Sequence, residues 1–391
     1  MDLARVGLVC EGDASTSETA FSGTAKRMFY SLEDKGHDVF AVDASLQGAQ
    51  RVVAAVMSAS SDRGRWRSKF RYGNEAAKYR TRAAERSLAG CEVDVILQVG
   101  ASYEPPRAGA IPYAIYSDWN MALDAVEARN AKGVSRGLSV AELEEIGREH
   151  ARRYKGAAAI FTISERLRQS FIELYGISPE RVHTAYAGPN FDMELIERTL
   201  QLPKNSTAPT VLFIAKEFRR KGGDLVAAAF ARLRQQMPEA RLLFAGAANL
   251  PKEFEGLGNV EHLGLLDKSD PAQLQRLLQA YRDADVLVLP SRHDPFPTVI
   301  REAMFFGLPC VASDIWAMPE MIVDGETGFL ISGEDVPALA ERLRTLLADA
   351  GLRERFGRAA RLRAEAMFSW SAVGEVLHAG VQQAWKGTSE A

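Results

Sequence analysis

Hydrophobic and polar positions along the chain alternate between two periods. Short runs rich in Val, Ile, Leu and Phe are followed by longer stretches whose apolar residues recur at helical spacing. Near-continuous apolar runs are typical of strands buried on both faces, so the alternation predicts parallel sheets covered by helices. In the first half the predicted strands are 5–10, 37–43, 93–100, 112–118, 158–164 and 182–188. The second half repeats the theme at 210–216, 241–246, 260–266, 285–291, 309–314 and 328–331. Between the two series lies QLPKNSTAPT, residues 201–210, polar and carrying two prolines, which reads as a linker. The expectation is an α/β chain of two doubly wound domains, 1–200 and 211–371. After residue 334 the pattern is wholly helical, and a last helix at about 372–391 can pack back on the first domain.

One junction in the second series carries chemistry. DVLVLPS (285–291) reads as a strand, RHDPF as the loop at its carboxyl end, and PTVIREAMFF as a helix with Pro297 near its first turn and Gly307 just past its end. Ligands of open parallel sheets bind at that edge. A helix beginning there turns unpaired backbone N–H groups, at Thr298 and Val299, and a positive dipole end toward the crevice, which suits a phosphate. Asp294 in the loop and Glu302 in the helix then flank it. Carboxylates accept hydrogen bonds from hydroxyls, so one acid for each sugar on either side of a diphosphate is the natural reading. Taken singly, each acid has a plainer explanation: a solvated loop residue, and a helical Glu serving the dipole or an i,i+4 pair.

Composition narrows this picture without redirecting it. A chain of 391 residues exceeds what one core usually organises, in line with two domains. The net charge of −3 gives no global pull toward nucleic acid. Cys10, Cys91 and Cys310 are far apart in apolar surroundings, so buried free thiols are expected, as suits a reducing cytoplasm. The start, MDLARVGLVC, runs directly into a strand without the layout of a signal peptide. No stretch approaches the roughly 18 uninterrupted apolar residues of a membrane span. The expected location is cytoplasmic, with peripheral contact at the inner membrane surface as an extension.

Asp294 to Glu302, followed by AMFFGLPCVASDIWAMPEMIVDGETGFLI, resembles the E-x7-E region of the retaining, nucleotide-sugar-dependent glycosyltransferases of GT-B fold, in their family 4 group. KEFRRKGGDLVAAAF (216–230), RLLFAG (241–246) and FSGTAKRMFYSLEDKGHDV (21–39) agree with that family in order and spacing. The resemblance implies two Rossmann-like domains facing each other across a cleft. It implies that Lys216 and Lys221 face the donor diphosphate, and that Gly23, between Ser22 and Thr24, lets backbone approach the same phosphates. By the same resemblance Glu302 holds the ribose hydroxyls and Asp294 those of the transferred sugar, while Leu265 and Leu266, after Gly264, lie beside the base. His293 is the one histidine placed near the donor.

Three positions depart from the family pattern. Asp294 stands where Glu is usual, one methylene shorter. Lys216 replaces an Arg and cannot form a fork of two parallel hydrogen bonds. Asp118, at the end of PYAIYSD, stands where many members have a histidine, and it is kept with Asp294 as a catalytic candidate because a carboxylate there can accept a proton or hold the sugar.

No metal and no cofactor beyond the sugar donor are expected. The one D-x-D, Asp283 and Asp285, falls where a helix ends and a strand begins, and reads as capping and turn chemistry. Residues 63–86 hold nine Lys or Arg against Glu75 and Glu85, a local charge of +7 with Trp66, Phe70 and Tyr72 interleaved. One reading is a solvated helical face with aromatics packed inward. The other is a docking surface for an anionic acceptor or membrane through Arg65, Trp66, Arg67, Lys69, Phe70 and Arg71; nucleic acid ranks behind both. The function implied is transfer of a sugar, with retention, from an NDP-sugar to a hydroxyl of a carbohydrate or lipid-linked acceptor. UDP-sugars are favoured and GDP-mannose is next, in polysaccharide or glycolipid biosynthesis. The alternatives are a phosphorylase or nucleotide-sugar epimerase of the same fold, or a relative that only binds nucleotide sugar.

Overall fold

The computed structural model describes residues 3–17, 20–129 and 137–387. The chain forms two units, one made of 1–188 with 370–391 and the other of 189–369.

The first unit is a parallel sheet of β1 (Arg5–Cys10), β2 (Asp38–Asp43), β3 (Val95–Val99), β4 (Tyr113–Ser117), β5 (Ala159–Thr162) and β6 (Val182–Thr184), in the order β2-β1-β3-β4-β5-β6. Its central strands β3, β4 and β5 are buried along their whole length. That burial is why they read as unbroken apolar runs rather than alternating ones. Helix α1 (Thr24–Glu33) supplies Met28, Phe29 and Leu32 to the core, and the last helix, Trp370–Lys386, adds Val373, Leu377 and Val381 to the same cluster. Around the edge lie α2 (Gly48–Met57), α3 (Arg63–Tyr72) and α4 (Asn74–Ser87).

The second unit repeats the plan with β7 (Thr210–Ile214), β8 (Arg241–Ala245), β9 (Val260–Gly264), β10 (Val286–Leu289), β11 (Cys310–Ser313) and β12 (Gly328–Ile331), ordered β12-β11-β10-β7-β8-β9 and parallel throughout. Phe213, Phe218, Phe244 and Phe254 pack edge-to-face and stacked, with centroids 5.1 to 6.4 Å apart. They join β7 and β8 to the loops beyond them. The strand order reverses between β7 and β10, the place where doubly wound sheets open a crevice at their carboxyl ends.

The boundary between units differs from the expected linker at 201–210. Helix Met193–Leu200 already belongs to the second unit, burying Ile196 and Thr199, while Phe191 packs on Tyr281 and Phe306. The polar stretch 201–210 is tied down rather than free: Lys204 pairs with Asp285 at 2.8 Å, and the Asn205 backbone and side-chain amides donate to Asp283 at 2.8 and 2.9 Å. Polarity marked exposure, not where contacts change hands. Asp283 and Asp285 act here as fasteners, since Asp285 also accepts from the Thr210 backbone at 2.8 Å. Cys10 and Cys310 are buried free thiols, whereas Cys91 is only half-buried. Among the described residues no helix is long and apolar enough to cross a membrane.

Candidate functional site

The carboxyl ends of β7 and β10 carry two loops that a set of arginines locks together. Arg292 forks onto Asp224 at 2.8 and 2.9 Å and onto Glu334 at 2.7 Å, and its Nη1 also donates to the Arg219 carbonyl at 2.6 Å. Its own N–H donates to the Arg220 carbonyl at 2.9 Å, and Arg220 in turn donates to the His293 carbonyl at 2.6 Å. Paired guanidiniums of this kind hold carboxylates charged, so Asp224 and Glu217 sit below the usual carboxylate range because of Arg292 and Arg220 respectively. Gly222 completes the junction. It adopts φ 74°, and a Cβ there would run into the Pro290 carbonyl oxygen.

This frame brings Lys221, from the first loop, onto Asp294, from the second, in a direct ion pair. Both are largely buried. Burial pulls the Lys221 ammonium below its ordinary value, while the Asp294 carboxylate works to keep it charged. His293, buried beside them, sets its ring edge-on to Trp316 at 4.7 Å.

Directly after this loop, helix Thr298–Phe305 begins behind Pro297, with no side chain capping it. The backbone N–H groups of Thr298 and Val299 donate to nothing among the described residues, so the first turn keeps open donors and a positive end. Thr298 itself is held by Arg301, whose guanidinium donates to Oγ1 at 2.8 Å. One turn on, Glu302 is 1% exposed, and its oxygens accept from Lys268 Nζ at 2.5 Å and from the Tyr281 hydroxyl at 2.8 Å. Lys268 also lies over the Phe191 ring, 4.2 Å from its centroid. Burial and the Glu302 carboxylate push the Tyr281 hydroxyl well up, so it stays a donor.

The two acids are therefore not solvated surface. Each is buried and holds a lysine. Sequence reading paired both with sugar hydroxyls and missed Lys268, Tyr281 and Arg220. Lys268 stands just past the carboxyl end of β9, and that position was the available signal. Lys216, by contrast, is exposed and forms no ion pair among the described residues; it is near enough to Asp267 to help hold that carboxylate down, after the hydrogen bonds from Ser269. Leu265 is exposed and Leu266 is buried, both following Gly264 at the end of β9.

The remaining candidates belong to the first unit. Gly23 is the left-handed N-cap of α1, φ 87°, and Thr24 is the first, buried, residue of that helix. The side chain of Ser22 lies outside the described residues. Asp118 is exposed just beyond the carboxyl end of β4. The basic segment divides. Arg65 and Lys69 turn onto Glu142, at 2.6 and 3.6 Å, and Phe70 packs against Leu46, Ala54 and Ala76. These three are half-buried, Arg65 and Lys69 being drawn toward Glu142 and Phe70 toward that cluster. Trp66, Arg67 and Arg71 remain exposed. Among the described residues no group of His, Cys, Asp or Glu is arranged to hold a metal ion.

Comparison with known proteins bears on the same unit. The family model described as glycosyl transferases group 1 matches residues 197–363. The chain is 31% identical over 219 residues to a D-inositol 3-phosphate glycosyltransferase of Xylanimonas cellulosilytica, covering 52% of this chain and 51% of that one. The matched stretch spans about half the length of the curated relatives it matches. Among solved structures, sucrose-phosphate synthase from Thermosynechococcus elongatus superposes with a TM-score of 0.70 at 18% identity, over 98% of this chain and 99% of that one. HepE of Anabaena, in complex with UDP and glucose, does so with a TM-score of 0.60 at 15% identity, over 97% and 99%. The protein thus has the GT-B fold, and residues 197–363, within its second unit, match the model of group 1 glycosyl transferases.

Proposed function

We propose that the protein is a glycosyltransferase that moves a sugar from a nucleoside diphosphate donor to a hydroxyl, with retention at the anomeric carbon. The observation that carries this reading is the convergence, in one loop junction of the group 1 domain, of the uncapped start of helix Thr298–Phe305 with the buried Lys221–Asp294 pair. An open helix start and an ammonium suit a diphosphate, and they offset the charge that grows on it as the glycosidic bond breaks. Asp294 then presents its remaining lone pairs to hydroxyls of the transferred sugar, and Glu302 presents its own to the ribose beside Lys268. For retention, the leaving phosphate takes the acceptor proton on the same face of the sugar from which it departs, while the protein supplies position and charge stabilisation.

UDP-sugars are the favoured donors, with GDP-mannose next, and the likeness to a UDP-bound structure supports that order. The acceptor class is a carbohydrate or lipid-linked hydroxyl compound in polysaccharide or glycolipid synthesis. Charge neutralisation by lysines and a helix end needs no metal, so activity is expected to persist in EDTA. The deciding experiment is product NMR after incubation with a panel of UDP- and GDP-α-sugars and hydroxyl acceptors. An α-linked product supports the reading; a β-linked product rejects retention, and nucleotide binding without turnover of any donor favours the binding-only alternative.

A further inference from the structure

On α2 and α3 the surface is unlike the rest of the described molecule. Val52, Val53, Val56 and Met57 of α2 are 62, 42, 66 and 62% exposed, and Trp66 of α3 joins them. Five of the twelve large hydrophobic side chains exposed among the described residues therefore fall within this one short stretch. An open groove between the helices is lined by Arg51, Val52, Ala55, Val56, Ala59 and Trp66. The Trp66 indole N–H is already given to the Ala55 carbonyl at 2.9 Å, so what the ring shows outward is hydrocarbon.

Charge surrounds this apolar surface in an ordered way. Arg63, Arg67 and Arg71 recur every fourth residue along α3, forming one exposed stripe beside Trp66, and Arg51 stands on the α2 side. None of these four arginines enters an ion pair among the described residues. Arg65 and Lys69, half a turn round, are the ones that Glu142 neutralises. The molecule pairs the inward cations and leaves the outward ones open, although its net charge is negative.

We propose that this face docks the protein on an anionic lipid bilayer. The α2 side chains lie at the boundary of headgroups and acyl chains, Trp66 lies at headgroup depth, and the four arginines meet lipid phosphates. An apolar stripe along a ten-residue helix, flanked by cations and one aromatic, is the layout that holds an amphipathic helix in a membrane interface. A second copy of the chain is a poorer occupant, because a two-fold contact would press each arginine stripe toward its own copy. The proposal does not depend on donor chemistry.

The test is sedimentation of the full chain with vesicles of phosphatidylcholine alone and of phosphatidylcholine mixed with phosphatidylglycerol. Wild type is expected to partition onto the mixed vesicles only, and less so as salt rises. Each of Arg67→Ala and Arg71→Ala should weaken partitioning about fivefold. Val52→Ser with Val56→Ser removes apolar surface without adding charge, and should weaken it at least as much as either Arg change, at unchanged melting temperature because both side chains are exposed. Arg65→Ala should leave partitioning nearly unchanged. Failure of wild type to sediment with the mixed vesicles overturns the proposal, as does sedimentation of the Val and Arg variants equal to that of wild type. Concentration-dependent self-association lost in those same variants would reassign the face to a contact between copies.

Discussion

Two charged regions of this molecule behave in opposite ways. Around β7 and β10, two acids of no local prominence are buried, each on a lysine: Asp294 in a loop fixed by Arg220 and Arg292, and Glu302 in the helix that follows it. Along α3, a conspicuous run of cations divides into an inner stripe neutralised by Glu142 and an outer stripe left to solvent. Density of charge in a sequence thus says little about where charge is used. Position relative to a strand end says more, because only there does the backbone hold a charged group away from water and beside open N–H donors.

The sharpest way to break this comparison is to remove Lys221. Leaving Asp294 buried without its ammonium costs roughly 3–5 kcal/mol if the pair is as desolvated as the structure places it. Lys221→Ala should therefore shift chemical denaturation of the protein by that order, while Lys221→Met combined with Asp294→Asn, which removes both charges at similar volume, recovers most of it. Nucleoside diphosphate affinity, followed by calorimetry, should fall in both. A Lys221→Ala protein with wild-type stability and wild-type UDP affinity would put this pair in the same class as the outer face of α3.

The two acids should differ in kind. Asp294→Asn is expected to bind free UDP or GDP nearly normally and to lose turnover, since Asp294 acts on the part of the donor that reacts. Glu302→Gln should weaken nucleotide binding itself, through the ribose. A charged hydrogen bond is worth about 1.5–3 kcal/mol, so the effects should be roughly tenfold to a hundredfold. Full turnover in Asp294→Asn would leave that residue as nothing more than the counter-ion of Lys221.

How much of this was legible follows from the same physics. The central strands declared themselves because burial on both faces leaves only apolar residues to choose from, whereas the edge strands β2, β6 and β9 are less buried and mix in polar residues. The junction after β10 was readable because strand, loop and Pro-led helix are consecutive in sequence. Lys268 and Tyr281 were not, since they reach Glu302 from 34 and 21 residues away, and no periodicity marks a contact of that range. The unit boundary was misplaced for a related reason: residues 201–210 look like solvent-exposed linker and are exposed, yet hydrogen bonds to Asp283 and Asp285 fasten them to one unit. On α3 the arginines were visible, but which of them point inward depends on Glu142, far along the chain.

Acid separates the units by another route. His150 is buried in the first unit, and desolvation pulls its imidazole down to about 3; burial lowers His37 and His183 there as well. A histidine held neutral in the folded state but free to protonate near pH 6.5 when unfolded gives the unfolded chain more protons below that pH, so stability falls as pH falls. For His150 alone the loss is about 1.4 kcal/mol per pH unit, or roughly 2 kcal/mol by pH 5. Hydrogen exchange at pH 7 and pH 5 should show protection lost first in α1 and the strands of the first unit. His150→Phe should flatten that dependence, and a first unit equally protected at both pH values would show that His150 is not held neutral.

The smallest expected effect sharpens the comparison most. Arg65 and Glu142 form an ion pair at 2.6 Å, shorter than many, yet the Arg65 side chain is 44% exposed. Glu142 is held down to about 2 chiefly by the Ser139 backbone N–H, in a capping box that starts helix Val140–Gly156, with Arg65 contributing after it. Removing Arg65 leaves that cap intact and leaves Lys69 at 3.6 Å to take part of the charge. Screening by water reduces what remains, so Arg65→Ala should cost less than about 1 kcal/mol in chemical denaturation. Glu142→Ala should cost more, since it removes the side-chain arm of the capping box, which accepts from the Ser139 N–H, along with the pair. If Arg65→Ala instead destabilised the protein as much as Lys221→Ala, a short distance alone would decide the worth of an ion pair, and the contrast between a buried strand-end site and a helix surface would collapse.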